Sequence, residues 1–199
     1  MSKKVILLLA MSLCLTAAKA PPKPAPPKPV TKPVVTKPAV TAASLPAGTK
    51  DPKNKIEPIT DEQELQDRAK GLFDAIVADD PSLGEAFWFP KDAFIPVKST
   101  KPSQAESYWK KLYKAYGEDI STLHKTTASL KGATFVRYEL GDQKWINPGL
   151  EYNAIGYYRT MYSKIIYKNA KGIEKSIKIS VSITWQGRWY VVHLTRTKL

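Results

Sequence analysis

Ile177 to Leu194 reads IKISVSITWQGRWYVVHL: nine residues of strict alternation, a Gln-Gly turn, then a second aromatic and β-branched run. A two-residue loop at Gln186-Gly187 is the favoured tight hairpin connection, because glycine tolerates positive φ. It pairs Trp185 with Arg188, Ile183 with Tyr190, Val181 with Val192 and Ile179 with Leu194, a face apolar apart from one phenol and so expected to look into the core. The other face carries Ser180, Ser182 and Thr184 opposite His193, Val191 and Trp189. A slip of one residue sets His193 against Val181 and mixes the two classes, so the first register is preferred. It places His193 outside the core.

Working outward, five more segments read as strand or turn. Thr134–Leu140 and the short Gln143–Ile146 are strands, and Asn147-Pro148-Gly149 is a turn signal. Ile155–Tyr167 is a long strand rich in hydroxylated and aromatic β-formers, followed by a turn over Asn169–Gly172. If that turn is a four-residue loop, Tyr158, Thr160 and Tyr162 share the inward face with Ile183, Val181 and Ile179. Gly156 then lies opposite Trp185, relieving a clash.

Helices precede the strands. Thr60 with Gln63, Ser82 with Glu85 and Ser103 with Glu106 have capping-box spacing. After the first, Leu65, Ala69, Leu72, Phe73, Ile76 and Val77 recur at helical spacing until Asp79-Asp80-Pro81. The second opens a short helix through Trp88. The third opens a helix with Ala105, Tyr108, Trp109, Leu112, Tyr113 and Tyr116 on one stripe and Gly117 as its expected C-cap. The aromatic stripe reads first as core; an aromatic ligand wall that includes Trp88 and Trp109 is the sharper alternative.

The N-terminal third is different chemistry. Lys3 and Lys4 precede an apolar run, Val5–Leu15, and Ala18-Lys19-Ala20 is a cleavage-site pattern, so residues 1–20 read as a secretory signal peptide directing the chain to the periplasm or outside the cell. Cys14, the only cysteine of the 199-residue chain, lies in that run. Leu13 before it is not the small residue that lipidation signals require. A mature chain without cysteine has no disulfide, thiol nucleophile or thiolate metal site. Eleven of the 16 prolines fall in residues 21–60, and PPKPAPPKPVTKPVVTKP repeats Lys-Pro with small residues. Proline removes a donor and fixes φ, so residues 21–58 read as an extended linker, disordered in the sense of having no packed structure. Fully extended at about 3.1 Å per residue, it reaches roughly 120 Å. Residues 1–60 carry a net charge of +8 of the chain's +13, which suits a tether touching an anionic cell-envelope surface. Residues 59–199 form one domain, long enough for a single core. It lacks a basic stripe, so nucleic acid is not an expected partner.

Three helices followed by a meander ending in Trp185, Gly187, Trp189, Val191, His193 and Leu194 resembles the nuclear-transport-factor-2-like superfamily over roughly residues 60–196. The resemblance lies in element order and the closing hairpin. It implies an α+β fold, N-terminal helices packed on a curved antiparallel sheet in a cone, and it is compatible with isomerases, dehydratases, cyclases and non-catalytic binding modules alike.

Candidate chemistry is sparse. There is no H-x-x-x-H pair, G-x-S-x-G, phosphate loop or calcium loop, and no cofactor or metal is expected. Asp92, in FPKDAFIP, is the one acid flanked by apolar residues; buried, it would be a candidate base, and otherwise it is a turn residue. Tyr158 and Tyr162 are the inward tyrosines of the proposed cone. His124 falls in a polar stretch after the third helix. Trp189, Val191 and His193, with Arg159, Met161 and Tyr157, make an outer face too apolar for solvent and suited to a homodimer or docked partner. Two functions follow: an exported non-catalytic module binding a small apolar ligand or a partner, or a small hydrolase, isomerase or dehydratase working in the cone.

Overall fold

A computed structural model describes residues 55–60 and 63–195. The expected signal segment and most of the expected linker lie outside the described residues. Helices packed on a curled antiparallel sheet form an α+β half-barrel, as the element order predicts. No helix among the described residues is long and apolar enough to cross a membrane.

Helix α1, Gln63–Ala78, buries Leu65, Ala69, Leu72, Phe73 and Ile76, the ladder expected from its spacing. It ends where Asp79 turns to φ 54° and the Asp80 amide donates to the Ala75 carbonyl. The next segment, Pro81–Phe87, is a 3₁₀ turn rather than an α-helix, and its cap is Asp80, whose carboxylate accepts the Ser82 amide at 3.0 Å. Glu85 takes no part in a box with Ser82: its carboxylate accepts from the Tyr113 hydroxyl. Helix α2, Lys91–Val97, follows Pro90.

Helix α3, Pro102–Thr126, starts one residue before the expected box. Its N-cap is Lys101, with proline in the first turn where the missing N–H costs nothing. Glu106 instead pairs with Lys91 of α2 at 2.6 Å. The helix runs straight through Gly117, against the expected C-cap. A glycine inside a helix costs about 1 kcal/mol, and packing beyond it offsets that cost: Ile120 is buried, Leu123 packs on the core, and the His124 ring contacts the Ile76 carbonyl at 3.0 Å. His124 thus belongs to the helix and ties it to α1.

Strands β1 (Thr134–Glu139) and β2 (Asp142–Ile146) both pair with the same edge of β3 (Tyr157–Lys168). On its other edge β3 pairs with β4 (Glu174–Trp185), which pairs with β5 (Arg188–His193). Helix α1 reaches both rims of the half-barrel. The Gln66 amide bonds both the N–H and the C=O of Tyr138 on β1, and the Arg68 guanidinium donates to the Trp189 carbonyl on β5 at 2.8 Å. Ahead of α1, Lys55–Thr60 already lies on the domain: the Ile59 amide donates to the Gly187 carbonyl and Lys55 sits over the Trp145 ring.

The closing turn is as expected, with φ of 50° at Gln186 and 78° at Gly187, and Trp185↔Arg188 and Ile183↔Tyr190 pair as read. Two irregularities change the rest. A bulge in β5 leaves Val192 unpaired and sets His193 opposite Val181, the arrangement the alternation argument rejected. The β3–β4 loop runs over five residues, not four, because the Asn169 side chain accepts the amides of both Lys171 and Ile173. The register is therefore Arg159↔Ile183 and Met161↔Val181, one residue from expectation, and a one-residue slip exchanges the faces of β3. Tyr162 then breaks the alternation at φ 61°, so that Thr160 and Ser163, three apart, bring their hydroxyls to 3.3 Å.

Both faces of the hairpin are buried, which corrects the expectation of a free outer face. Trp189 is 0% and Val191 1% exposed within the single chain. Their partners Thr184 and Ser182 are buried too, and the Ser182 hydroxyl meets that of Tyr138 at 3.2 Å. The outer edge of β5 is covered by Trp88-Phe89, with the Phe89 amide donating to the Val191 carbonyl at 3.0 Å.

Candidate functional site

A cavity of about 270 Å³ lies between the sheet and helices α2 and α3. The observed register builds its floor: Arg159 and Met161 of β3, Val181 and Ile183 of β4, Val192 and His193 of β5. Phe94 and Val97 of α2 with Tyr108 and Leu112 of α3 form the opposite wall. Polar groups gather at one side, Lys98 from the end of α2 and Glu151, Asn153 and Tyr157 from the segment leading into β3.

Backbone hydrogen bonds hold those polar groups together. After the Asn147-Pro148-Gly149 turn, Glu151 and Tyr152 adopt φ of 56° and 58°. The segment is clipped to the end of α2, with the Ala154 amide donating to the Val97 carbonyl at 2.7 Å and the Ser99 amide to the Tyr152 carbonyl at 3.0 Å. Lys98 consequently sits beside Asn153, as an isolated bridge. Positive φ at two consecutive non-glycine residues is costly, and persists where the surroundings enforce it.

A continuous polar chain results. The Lys98 ammonium donates to Asn153 Oδ1 at 2.9 Å, and the Asn153 amide donates to the Tyr157 hydroxyl. That hydroxyl donates to Glu151 Oε2 at 2.6 Å, and Arg159 pairs with Glu151 Oε1. Burial lowers the pKa of Lys98, partly opposed by the charge of Glu151. Burial also lowers that of His193, with Asp119 opposing and Lys98 adding to the effect, so the imidazole is mostly neutral at pH 7. Tyr157 is pushed up by burial and by its bond to Glu151. Asp119 also anchors the chain just past His193, accepting the amide and hydroxyl of Thr195 at 3.1 and 2.6 Å.

Of the residues expected in a site, Arg159 and His193 line this cavity, although they were read as part of an outer interface. Trp189 and Val191, the apolar anchors of that interface, are core residues. Asp92 is exposed in the first turn of α2, outside the cavity lining, so it is not a buried base. Tyr158, moved by the register, donates its hydroxyl to Glu57 at 2.7 Å and packs on Trp145. Tyr162 is 37% exposed under the Lys178 ammonium. Trp88 stacks on Tyr116 with centroids 4.6 Å apart, and Trp109 stacks on Tyr113 and donates to the Phe89 carbonyl at 3.1 Å. Both tryptophans lie outside the cavity lining, whereas Tyr108 and Leu112 of the same stripe border it.

Lys98, Glu151 and Asn153 escaped sequence reasoning, and Tyr157, like Arg159 and Met161, was placed on the outer face rather than in the cavity lining. The one local signal was Asn169, an Asx-type residue opening the loop; allowing it a fifth loop residue turns Arg159 and Met161 toward Ile183 and Val181. Among the described residues no cluster of three or more His, Cys, Asp or Glu is placed to hold a metal ion. No family model, curated protein or solved structure matches this chain.

Proposed function

We propose that the chain is an exported, non-catalytic binding module of nuclear-transport-factor-2-like architecture, tethered by its basic Pro-rich spacer, whose cavity holds a small, largely apolar ligand. The observation that carries the reading is the cavity itself. At about 270 Å³ it exceeds the roughly 150 Å³ that takes benzene, and it is only slightly smaller than the roughly 300 Å³ at which drug-sized sites begin. Its walls are aliphatic and aromatic with a few convergent polar groups, the usual composition of a ligand site. The curled sheet with helices across it is compatible with the cone of the resembling superfamily. Export rests on Lys3-Lys4, the apolar run and Ala18-Lys19-Ala20, and a mature N-terminus at or near Pro21 in mass spectra is its check. The Lys-Pro repeats suit contact with anionic envelope polymer.

The chain has only two histidines, so the ring signals of His193 are easily assigned by NMR with a His193→Asn variant. Indole titrated into the full-length protein should shift them saturably. Val181→Phe, which fills the floor, should abolish the shift without loss of signal dispersion. Absence of saturable shifts at millimolar indole overturns the reading.

An enzyme acting in the cavity is the second reading, favoured by the neutral His193 imidazole in its lining. It ranks lower because Glu151, the one acid of the lining, is already bonded to Tyr157 and Arg159. Among the described residues the His193 ring donates no hydrogen bond to a carboxylate that would orient it, as in the Ser-His-Asp arrangement.

A further inference from the structure

We infer that the ligand of this cavity is a small organic anion, a single carboxylate on an aliphatic or aromatic body, with its charge at Lys98 and Arg159. The inference rests on the ligand-binding reading above and specifies its chemistry. The first observation is an imbalance of charge. The lining holds two basic side chains, Lys98 and Arg159, and one carboxylate, Glu151. That carboxylate is committed on both oxygens, one to Arg159 and one to the Tyr157 hydroxyl.

The second observation concerns the state of Lys98. Its ammonium is partly buried, and its one hydrogen-bond partner among the described residues is the neutral amide oxygen of Asn153. No carboxylate lies within ion-pair distance of it there, and its remaining contacts are the faces of Phe94 and Tyr108 at 5.3 and 5.6 Å. An ammonium has three donors and a guanidinium five. Two donors on Lys98 and most of those on Arg159 are therefore unspent. A half-buried cation with a neutral partner is an unfavourable arrangement that an incoming anion relieves.

The third observation is that the carboxylate, amide and Tyr157 oxygens of the lining already accept from the protein's own donors. Asn153 Oδ1 is used by Lys98, both Glu151 oxygens are used, and the Tyr157 hydroxyl is used as both donor and acceptor. A cationic ligand would find only the Tyr108 hydroxyl, the His193 ring and second lone pairs on oxygens that already accept from the protein. An anion finds donors, and its body finds Phe94, Val97, Leu112, Ile183 and Val192.

The test compares three probes of one shape on the full-length protein: benzoate, benzamide and benzylamine, each titrated while the His193 ring signals are followed. Benzoate should bind at least about tenfold more tightly than benzamide, the ratio of one charge-assisted bond, and benzylamine more weakly than either. Lys98→Met should remove most of that preference while leaving indole binding in place. Arg159→Met gives the same comparison if Lys98→Met does not fold. Equal affinities for benzoate and benzamide, or a preference for benzylamine, overturn the anion and leave the cavity reading standing. No saturable binding of any probe, indole included, overturns both.

Discussion

The sheet has one flank that is finished and one that is not. Toward α1 the packing is dense and self-sufficient. Phe73 meets Phe135 and Tyr167 at 6.1 and 5.5 Å, Phe87 meets Tyr138 edge-on at 5.2 Å, and the Tyr138 hydroxyl finds Ser182. Toward α2 and the first half of α3, the same strands leave a cavity with a lysine, an arginine and a histidine in its walls. Burying a cation without a carboxylate partner is expensive, and an empty volume forfeits dispersion contacts. A fold selected for stability alone would fill that space with apolar side chains, as it has on the α1 side. The contrast separates a flank that holds the domain together from one that leaves space at a cost in stability, the trade that the proposed binding function expects.

Truncation on the two flanks should show the contrast most strongly. Trp189→Ala should cost about 3–5 kcal/mol of unfolding free energy, as expected for a fully buried large aromatic. Met161→Ala, on the cavity floor, should cost less than about 2 kcal/mol because its side chain already borders empty space. Both are read by urea denaturation, and equal costs would mean that the cavity flank is packed as tightly as the other.

A methyl group added at Gly156 sharpens the comparison at the entry to β3. A Cβ there stands 2.4 Å from the Trp145 ring and 3.0 Å from the Ile146 carbonyl oxygen. Gly156→Ala should destabilise by about 1–3 kcal/mol through overpacking. Trp145→Leu should recover much of that loss, and no recovery would point to the backbone rather than the ring.

The smallest expected effect is electrostatic. The pKa of His193 is lowered in the folded state from 6.5, so between the two values the unfolded chain binds more protons. Stability from this group is fully present above pH 6.5 and is lost as pH falls from there toward the folded pKa. Denaturation midpoints taken on either side of that window should fall with acid by less in His193→Asn than in the parent. An equal fall in both would assign the acid sensitivity to other groups.

Much of this architecture could be read locally. The order of the strands, the tight turn at Gln186-Gly187 and the apolar ladder of α1 follow from alternation, positive-φ preference and helical periodicity, which act over a few residues, although β4 starts three residues before Ile177. Helix ends were less legible. Ser82, Ser103 and Gly117 carry cap chemistry, but Asp80, Lys101 and a continuing buried stripe decided those positions.

The candidate site was barely legible, and the reason is geometric. Period-2 reasoning assigns a residue to a face only relative to a register. One extra loop residue at Asn169–Ile173 and one bulge at Val192 turned Arg159, Met161 and His193 from an expected outer face to the cavity. The expectation that the second hairpin face lies outside the core failed as well, since segregating Ser and Thr from Ile and Val does not forbid burying both within one chain.

By itself the sequence determined a charged, proline-rich N-terminal third distinct from a domain of helices followed by antiparallel strands, because composition and short-range periodicity are properties of neighbours in the chain. Only the tertiary structure decided which strand face meets which helix and where space was left. It alone brought Lys98 to Asn153 and Glu151 to Arg159, because those contacts depend on bulges, loop lengths and helix packing that sum over the whole chain.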